Sequence, residues 1–317
     1  SNFKHYKITF LFFKVKKCSR SNCFKLSRLN ILQQKFVNSI FYLGFRDPLI
    51  ISAWVKVRFG KVVHRNWGDE LNIYLLEKLT GRKVLVANES LLQYLFPSRK
   101  YICIGSILGW YETEKSEIWG AGAMTEEVVL RNPSAKVHLV RGKYTRQVLL
   151  DKGVQCPECY GDPALLLSRM YQPDVPKRYR MGIIPHYDDE NLPYLKEYVA
   201  RHSDVCLISM SEYDRWTDVL DKINSCSFII SSSLHGLIAA DSYGIPNFWV
   251  TFTEKFDARR DFKYRDYFSS VGRDESAAPL MILNGETLGQ VYDLRYEEKC
   301  EKAVIDFDAI LNSCPFI

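Results

Sequence analysis

From about residue 50 onward the chain alternates short apolar runs with segments of helical length, and this alternation limits the fold more than any other feature. Residues 83–86, 101–104, 117–119, 136–140, 181–184, 205–208, 228–231 and 247–251 read as strands. Between them, 69–79, 144–152, 213–224 and 234–243 read as helices. Strands that alternate with helices in this way form parallel sheets with helices on both faces. A chain of 317 residues is longer than one small core serves. The proline-rich stretch at 171–176 suits a linker. The expectation is therefore an α/β protein with one unit over 51–170, a second over 171–317 that ends in a helix, and a cleft between them.

The head, residues 1–50, differs in kind. Of the chain's 43 Lys and Arg and 37 Asp and Glu, residues 1–60 hold twelve and one, which leaves 31 basic and 36 acidic residues in the body. Such asymmetry points to an anionic partner surface, lipid or nucleic acid. Leu29, Leu32, Phe36, Ile40 and Leu43 recur every three or four positions, with Lys25, Arg28 and Lys35 elsewhere on the wheel. The pattern describes an amphipathic helix, laid either on a bilayer surface or on the protein's own core. No recognised nucleic-acid module accompanies the charge, so nucleic acid is not an expected partner. The apolar run 8–13 is far shorter than the ~20 residues of a membrane span, and no cleavage site follows it. The expected location is cytoplasmic, with peripheral contact at the inner face of the cytoplasmic membrane through this basic segment.

Nine cysteines are scattered, and Cys103, Cys206 and Cys226 lie in apolar runs where a thiol acts as a small hydrophobe. Cys156 and Cys159 form a lone CxxC with no second pair or His-x-x-x-His at metal spacing, so neither a metal nor redox chemistry is expected.

In open parallel sheets ligands sit beyond the carboxyl ends of the strands, and four loops there carry unusual residues. Asn66-Trp-Gly-Asp-Glu-Leu71 opens a helix, with Asp69 placed either to cap it or to serve as a functional carboxylate. Gly120 and Gly122 in Trp119-Gly-Ala-Gly-Ala-Met124 allow close backbone approach to an anion, although the third glycine of a dinucleotide fingerprint is missing. Arg141 follows a strand and precedes a helix, where its fork can grip phosphate or carboxylate or join a salt bridge. The fourth loop, Ser231 to His235, puts His235 in the first turn of a helix that Gly244 and Pro246 end. Exposed amides of that turn, including those at Ser233 and Leu234, favour an anion beside an imidazole that can donate a proton.

These stretches resemble the polysaccharide pyruvyl transferase family. SSLHGLIAADSYGIPN is similar to that family's signature, and NWGDEL, WGAGAM, VRG followed by YGDPALLL, IPHYDDEN and the segment Lys263 to Gly272 resemble it in the family's order, over roughly residues 60–275. The resemblance implies two Rossmann-like domains arranged like GT-B glycosyltransferases, with the active site between them. It implies phosphoenolpyruvate as donor substrate, no cofactor, and a hexose of a polysaccharide repeat unit as acceptor, carried on polyprenyl diphosphate at the membrane. The product would be a cyclic pyruvate ketal, with phosphate released.

The resemblance further implies His235 as acid or phosphate-stabilising group and Asp69 as hydroxyl-orienting or basic group. Donor binding falls to Arg141, Gly120, Gly122, Ser233, Leu234 and Lys263, and acceptor binding to Asn66 and His186, with no metal. Some family members carry Arg directly before Leu-His, where this chain has Ser233. Lys143, Arg146, Lys255, Arg259, Arg260 and Lys263 are the candidates to supply the missing charge. Two alternatives remain open: a GT-B glycosyltransferase using a nucleotide sugar, for which Asp306-Phe-Asp308 is the sole Asp-x-Asp, and a catalytically silent scaffold of polysaccharide assembly.

Overall fold

A computed structural model describes residues 20–63, 66–112, 114–132, 135–254, 258–293 and 300–317, with side chains at all of these except 20–30 and 258–260. The run at 8–13 and the side chains of Lys25, Arg28, Leu29, Lys255, Arg259 and Arg260 lie outside what is described.

In chain order the first half contains α1 (Arg20–Tyr42), β1 (Leu49–Ile51), a hairpin of β2 (Val57–Arg58) and β3 (Lys61–Val62), α2 (Trp67–Thr80), β4 (Val84–Val86), α3 (Leu91–Leu95), β5 (Lys100–Ile102), β6 (Ser116–Trp119), β7 (Lys136–Leu139), α4 (Lys143–Asp151) and α5 (Leu167–Met170). The second half contains β8 (Tyr179–Ile184), α6 (Pro193–Arg201), β9 (Val205–Leu207), α7 (Trp216–Asn224), β10 (Cys226–Ser231), α8 (Leu234–Ser242), β11 (Asn247–Thr251), α9 (Ala258–Val271), β12 (Leu280–Met281) and α10 (Gly285–Asp293), before α11 (Phe307–Asn312) closes the chain.

The larger strands form two five-stranded sheets, ordered β4-β1-β5-β6-β7 and β12-β11-β10-β8-β9. Every pairing in them is parallel. Counted in chain order within its own sheet, each follows the doubly wound sequence 2-1-3-4-5, the second read from its opposite edge. The strand order therefore reverses between β1 and β5 in one sheet and between β8 and β10 in the other. Crevices at such switch points are where doubly wound sheets bind ligands.

All eight strands expected from the sequence form within two residues of their expected bounds. β1 was not among them: its three residues follow Asp47-Pro48 at the edge of the basic head, yet Leu49 and Ile51 are fully buried beside β4 and β5. One apolar cluster draws on both halves, joining Leu49, Trp67 and Trp119 to Ile229, Leu237 and Tyr267. The opposite face of the second sheet has its own cluster around Phe228, Ile230 and Leu288, and that of the first around Ile102, Ile118 and Leu149. α11 returns to the first half, where Trp119 Nε1 donates to the Ile310 carbonyl at 3.2 Å.

The helix foreseen in the head forms, and it is inverted relative to an ordinary surface helix. Its inner side is polar: Asn38 Nδ2 donates to the Val57 carbonyl at 2.7 Å, and the Ser39 and Ser90 hydroxyls meet at 3.0 Å. Leu32, Phe36, Ile40 and Leu43 are each more than half exposed on the outside. Among the described residues no helix is long and apolar enough to cross a membrane.

Candidate functional site

The turn that carries His235 is built by small residues and hydroxyls. The Ser231 hydroxyl accepts the Ser233 N–H at 3.0 Å and lies 2.9 Å from the Ile184 carbonyl, tying the end of β10 to that of β8. Tyr264 Oη donates to the Ser232 carbonyl at 2.8 Å, so α9 supports the same turn. Ser233 is the N-cap of α8, Leu234 its first residue and His235 its second. A Cβ at Gly236 would collide with the Ser231 hydroxyl and Ile184, so only glycine lets the helix sit this close to the strand ends.

His235 rests on the first turn of α2. A Cβ at Gly68 would overlap the imidazole, which explains the glycine in NWGDEL. Nε2 of His235 is buried and has no hydrogen-bond partner. Loss of water around the ring, then the positive charges of Lys263 and Arg141, push its pKa down to about 3.

Asp69 stands one residue beyond Gly68. The N-cap of α2 is Asn66, whose side chain makes no capping bond, so Asp69 is not the cap. Burial pushes its carboxyl up to about 7; Lys263 opposes that shift and the neighbouring Glu70 adds to it. Asn72 fixes the helix to the end of β5, donating to the Ile104 carbonyl at 2.9 Å and accepting its N–H at 3.0 Å.

Asp69, His235 and Lys263 line a cavity of about 250 Å³ together with Asn66, Ser106, Ser233 and Leu234. Its wall also includes Trp54 after β1, Ser106 after β5, His186 and Tyr187 after β8, and Met210 after β9. Both switch points therefore open on one cavity. A second, more open cavity of about 890 Å³ adjoins it and shares His186 and Lys263. This second space is acidic, with Asp188, Asp189 and Glu254 in its wall. His186 lies 3.4 Å from Asp188, and its backbone N–H donates to the Ser232 hydroxyl at 2.8 Å.

Arg141 does not point into either cavity, and the direct grip on a donor expected of it is not what the side chain does. It is fully buried and its three nitrogens serve protein acceptors: Nε donates to Asp266 at 2.9 Å, one terminal nitrogen to the Ala123 carbonyl at 2.7 Å, and the other to the Ser106 hydroxyl. Asp266 also accepts the backbone N–H and the hydroxyl of Thr145, both at 2.7 Å. This network locks α9 against the start of α4. It positions Lys263, which lies one helical turn before Asp266, and Ser106 on the cavity wall.

Gly120 and Gly122 likewise serve packing instead of cradling an anion. Their N–H groups donate to the carbonyls of Leu139 at 2.8 Å and Gly105 at 3.0 Å. A Cβ at Gly120, where φ is +95°, would strike Pro163, and one at Gly122 would strike the Arg141 guanidinium. Of the described candidates for the charge missing at Ser233, Lys263 is the one that lines the cavity. Lys143 pairs with Glu275 at 3.3 Å and Arg146 with Glu158 at 3.3 Å, and neither lines the cavity. In the CxxC, burial pushes the Cys156 thiol up to about 12, which keeps it protonated and poorly nucleophilic.

Sequence reasoning missed Trp54, Ser106, Tyr187 and Met210. The rule that singles out loops after strands would have found Ser106 behind YICIG and Tyr187 behind MGIIPH. Trp54 was hidden with β1, and Met210 carries no local signal.

The profile of the family described as polysaccharide pyruvyl transferase matches residues 119–252, which include His186 and the whole His235 turn. An uncharacterised protein of Acanthamoeba polyphaga mimivirus is 31% identical over 212 residues, covering 65% of this chain and 71% of the relative. Among solved structures, a functionally uncharacterised protein from Klebsiella pneumoniae aligns with 81% of this chain and 98% of its own at a TM-score of 0.42 and 12% identity. With the loops that carry His186 and the His235 turn inside the matched residues 119–252, the chain belongs to the polysaccharide pyruvyl transferase family.

Proposed function

We propose that the protein transfers the enolpyruvyl group of phosphoenolpyruvate to a hexose of a polysaccharide repeat unit, forming a cyclic pyruvate ketal and releasing phosphate. Family membership implies pyruvyl transfer to polysaccharide; the donor, the ketal and the residue roles are our reading. The observation that carries it is the meeting of Lys263, a neutral imidazole with an unsatisfied buried nitrogen, and a carboxyl near pH 7 in one small cavity.

The donor is a small polyanion, and Lys263 with the first-turn amides of α8 suits its charge. His235, neutral at pH 7, can hydrogen-bond a phosphate oxygen, and the incoming negative charge offsets the two cations that depress it. A proton added to the methylene carbon makes the methyl group and leaves an electrophilic centre at the adjacent carbon. One sugar hydroxyl attacks that centre and gives up its proton. The second hydroxyl then replaces phosphate, which leaves with the carbon–oxygen bonding pair, and loses its own proton. One of the two hydroxyl protons balances the proton taken up by the methylene carbon, and the other leaves with phosphate. A carboxyl near pH 7 can both give and take protons at neutral pH, which suits Asp69 to the carbon protonation and the hydroxyl deprotonation.

We place the acceptor on a polyprenyl diphosphate at the cytoplasmic membrane face, with α1 against the lipid. The outward row Leu32, Phe36, Ile40 and Leu43 and the basic charge of residues 1–60 support that placement.

Calorimetric titration tests the donor. Phosphoenolpyruvate should bind, and His235→Ala should weaken it, whereas binding of uridine diphosphate in its place would favour a nucleotide-sugar donor.

A further inference from the structure

The cavity holding Asp69, His235 and Lys263 has an aromatic mouth that the chemistry above does not use. Trp54 is 49% exposed and Tyr187 47%, one from each half, and both line this cavity. So much aromatic ring left in water is apolar surface that a ligand gains by covering. Neither ring is loosely placed. The Ala53 N–H donates to Asn88 Oδ1 at 3.1 Å and its carbonyl accepts from Asn88 Nδ2 at 3.1 Å, so Trp54 leaves β1 in a fixed direction. Trp110 meets the Trp54 ring edge-on at 5.1 Å. Tyr187 lies against the His186 ring at 4.1 Å. The two rings follow β1 and β8, one strand from each switch point.

We propose that Trp54 and Tyr187 form the platform for a neutral hexose of the acceptor glycan, an inference that rests on the pyruvyl-transfer reading. A pyranose ring presents a face of C–H groups and a rim of hydroxyls. An aromatic face takes the first without requiring charge, and the rim is then free to reach Asn66 and Asp69 inside. Size separates the substrates as well as charge. At about 250 Å³ the inner cavity lies below the roughly 300–1,000 Å³ of pockets that enclose a whole drug-sized ligand, so a hexose added to a bound donor extends out of it, and Trp54 and Tyr187 are the half-exposed rings of its wall that such a sugar can meet. The inner cavity offers Lys263 to an anion, while the mouth offers rings to an uncharged sugar. A nucleobase could also stack on such rings, and the test separates the two.

Saturation-transfer NMR with soluble hexosides reads the platform directly, and steady-state kinetics with phosphoenolpyruvate reads its use. Hexoside C–H protons should receive saturation from the wild type and lose it in Trp54→Ala and Tyr187→Ala. Each alanine variant should raise the acceptor KM about tenfold while the calorimetric affinity for phosphoenolpyruvate holds, and Trp54→Phe should recover most of the loss. An acceptor KM unchanged in both alanine variants overturns the proposal, as does an equal loss of phosphoenolpyruvate affinity. Displacement of the hexoside signal by uridine diphosphate also overturns it, in favour of a base-binding platform. A wild type that binds no phosphoenolpyruvate defeats the pyruvyl-transfer reading instead, and hexoside saturation lost in the two variants would still support a sugar platform.

Discussion

Gly68 and His235 are packed so closely that a methyl group on Gly68 would overlap the imidazole at Nδ1 and Cγ. The helix that presents Asp69 and the helix that presents His235 are thus registered against each other through a missing side chain. Gly68→Ala should displace the imidazole and cut kcat by about 10²-fold or more, within the range that general acid–base groups supply. The helix itself should not suffer, because alanine is favoured over glycine in a helix by about 1 kcal/mol. Kinetics alongside thermal melts would check this; a variant that melts early and turns over normally per folded molecule would contradict it.

The carboxyl of Asp69, raised to about 7, should place an inflection near pH 7 in kcat/KM. Asp69→Asn should remove the inflection along with most of the activity. A pH–rate profile of both proteins reads it.

Stability should also change with pH, with opposite signs at different groups. Asp162 is buried with Oδ2 unpartnered, and its carboxyl is raised to about 7 by that burial. A raised carboxyl favours the folded state fully below about pH 4, and that contribution is lost as pH climbs through 7. His235, depressed to about 3, acts in reverse: its contribution is present above about pH 6.5 and lost as pH falls toward 3. Urea midpoints across pH 4–8 should therefore show Asp162→Asn gaining on the wild type as pH rises. A constant difference between them would contradict the assignment.

Arg141 and Asp266 form an ion pair with no exposed surface on either side chain, and it joins the two halves. Asp266→Asn leaves the guanidinium buried without its counter-charge, which typically costs about 3–5 kcal/mol. Denaturant titration should register the loss. Because Lys263 is one turn away on the same helix, phosphoenolpyruvate affinity should fall too in whatever fraction remains folded.

The outward row on α1 should be dispensable for the fold and needed for lipid contact. Phe36→Ser with Ile40→Ser removes apolar surface that is already exposed, so melting temperature should hold while sedimentation with anionic liposomes declines. Undiminished co-sedimentation would argue against a lipid-facing α1.

The sheets were legible because a buried parallel strand is a continuous apolar run, and eight such runs lie between helical patterns. β1 escaped notice because three residues beside a proline carry too little pattern, and with it went Trp54. The loops at the strand ends pointed to Asn66, Asp69 and His235, and the family resemblance added His186 and Lys263; all five line one cavity. What the sequence could not resolve was direction. Arg141 and the glycines at 120 and 122 occupy ligand-edge positions, but they face one another and Pro163, a choice made by contacts from distant parts of the chain. The stripe on α1 was equally readable as core or as surface, and only the burial of Asn38 and Ser39 decides between them.

The most direct test of ketal transfer is to incubate the protein with phosphoenolpyruvate and a panel of lipid-linked and soluble hexosides, following phosphate release and product mass together. The account predicts phosphate in step with a product heavier by pyruvate less water, with His235→Ala stopping both. A product heavier by a hexose when a nucleotide sugar is supplied, with no reaction from phosphoenolpyruvate, would contradict it.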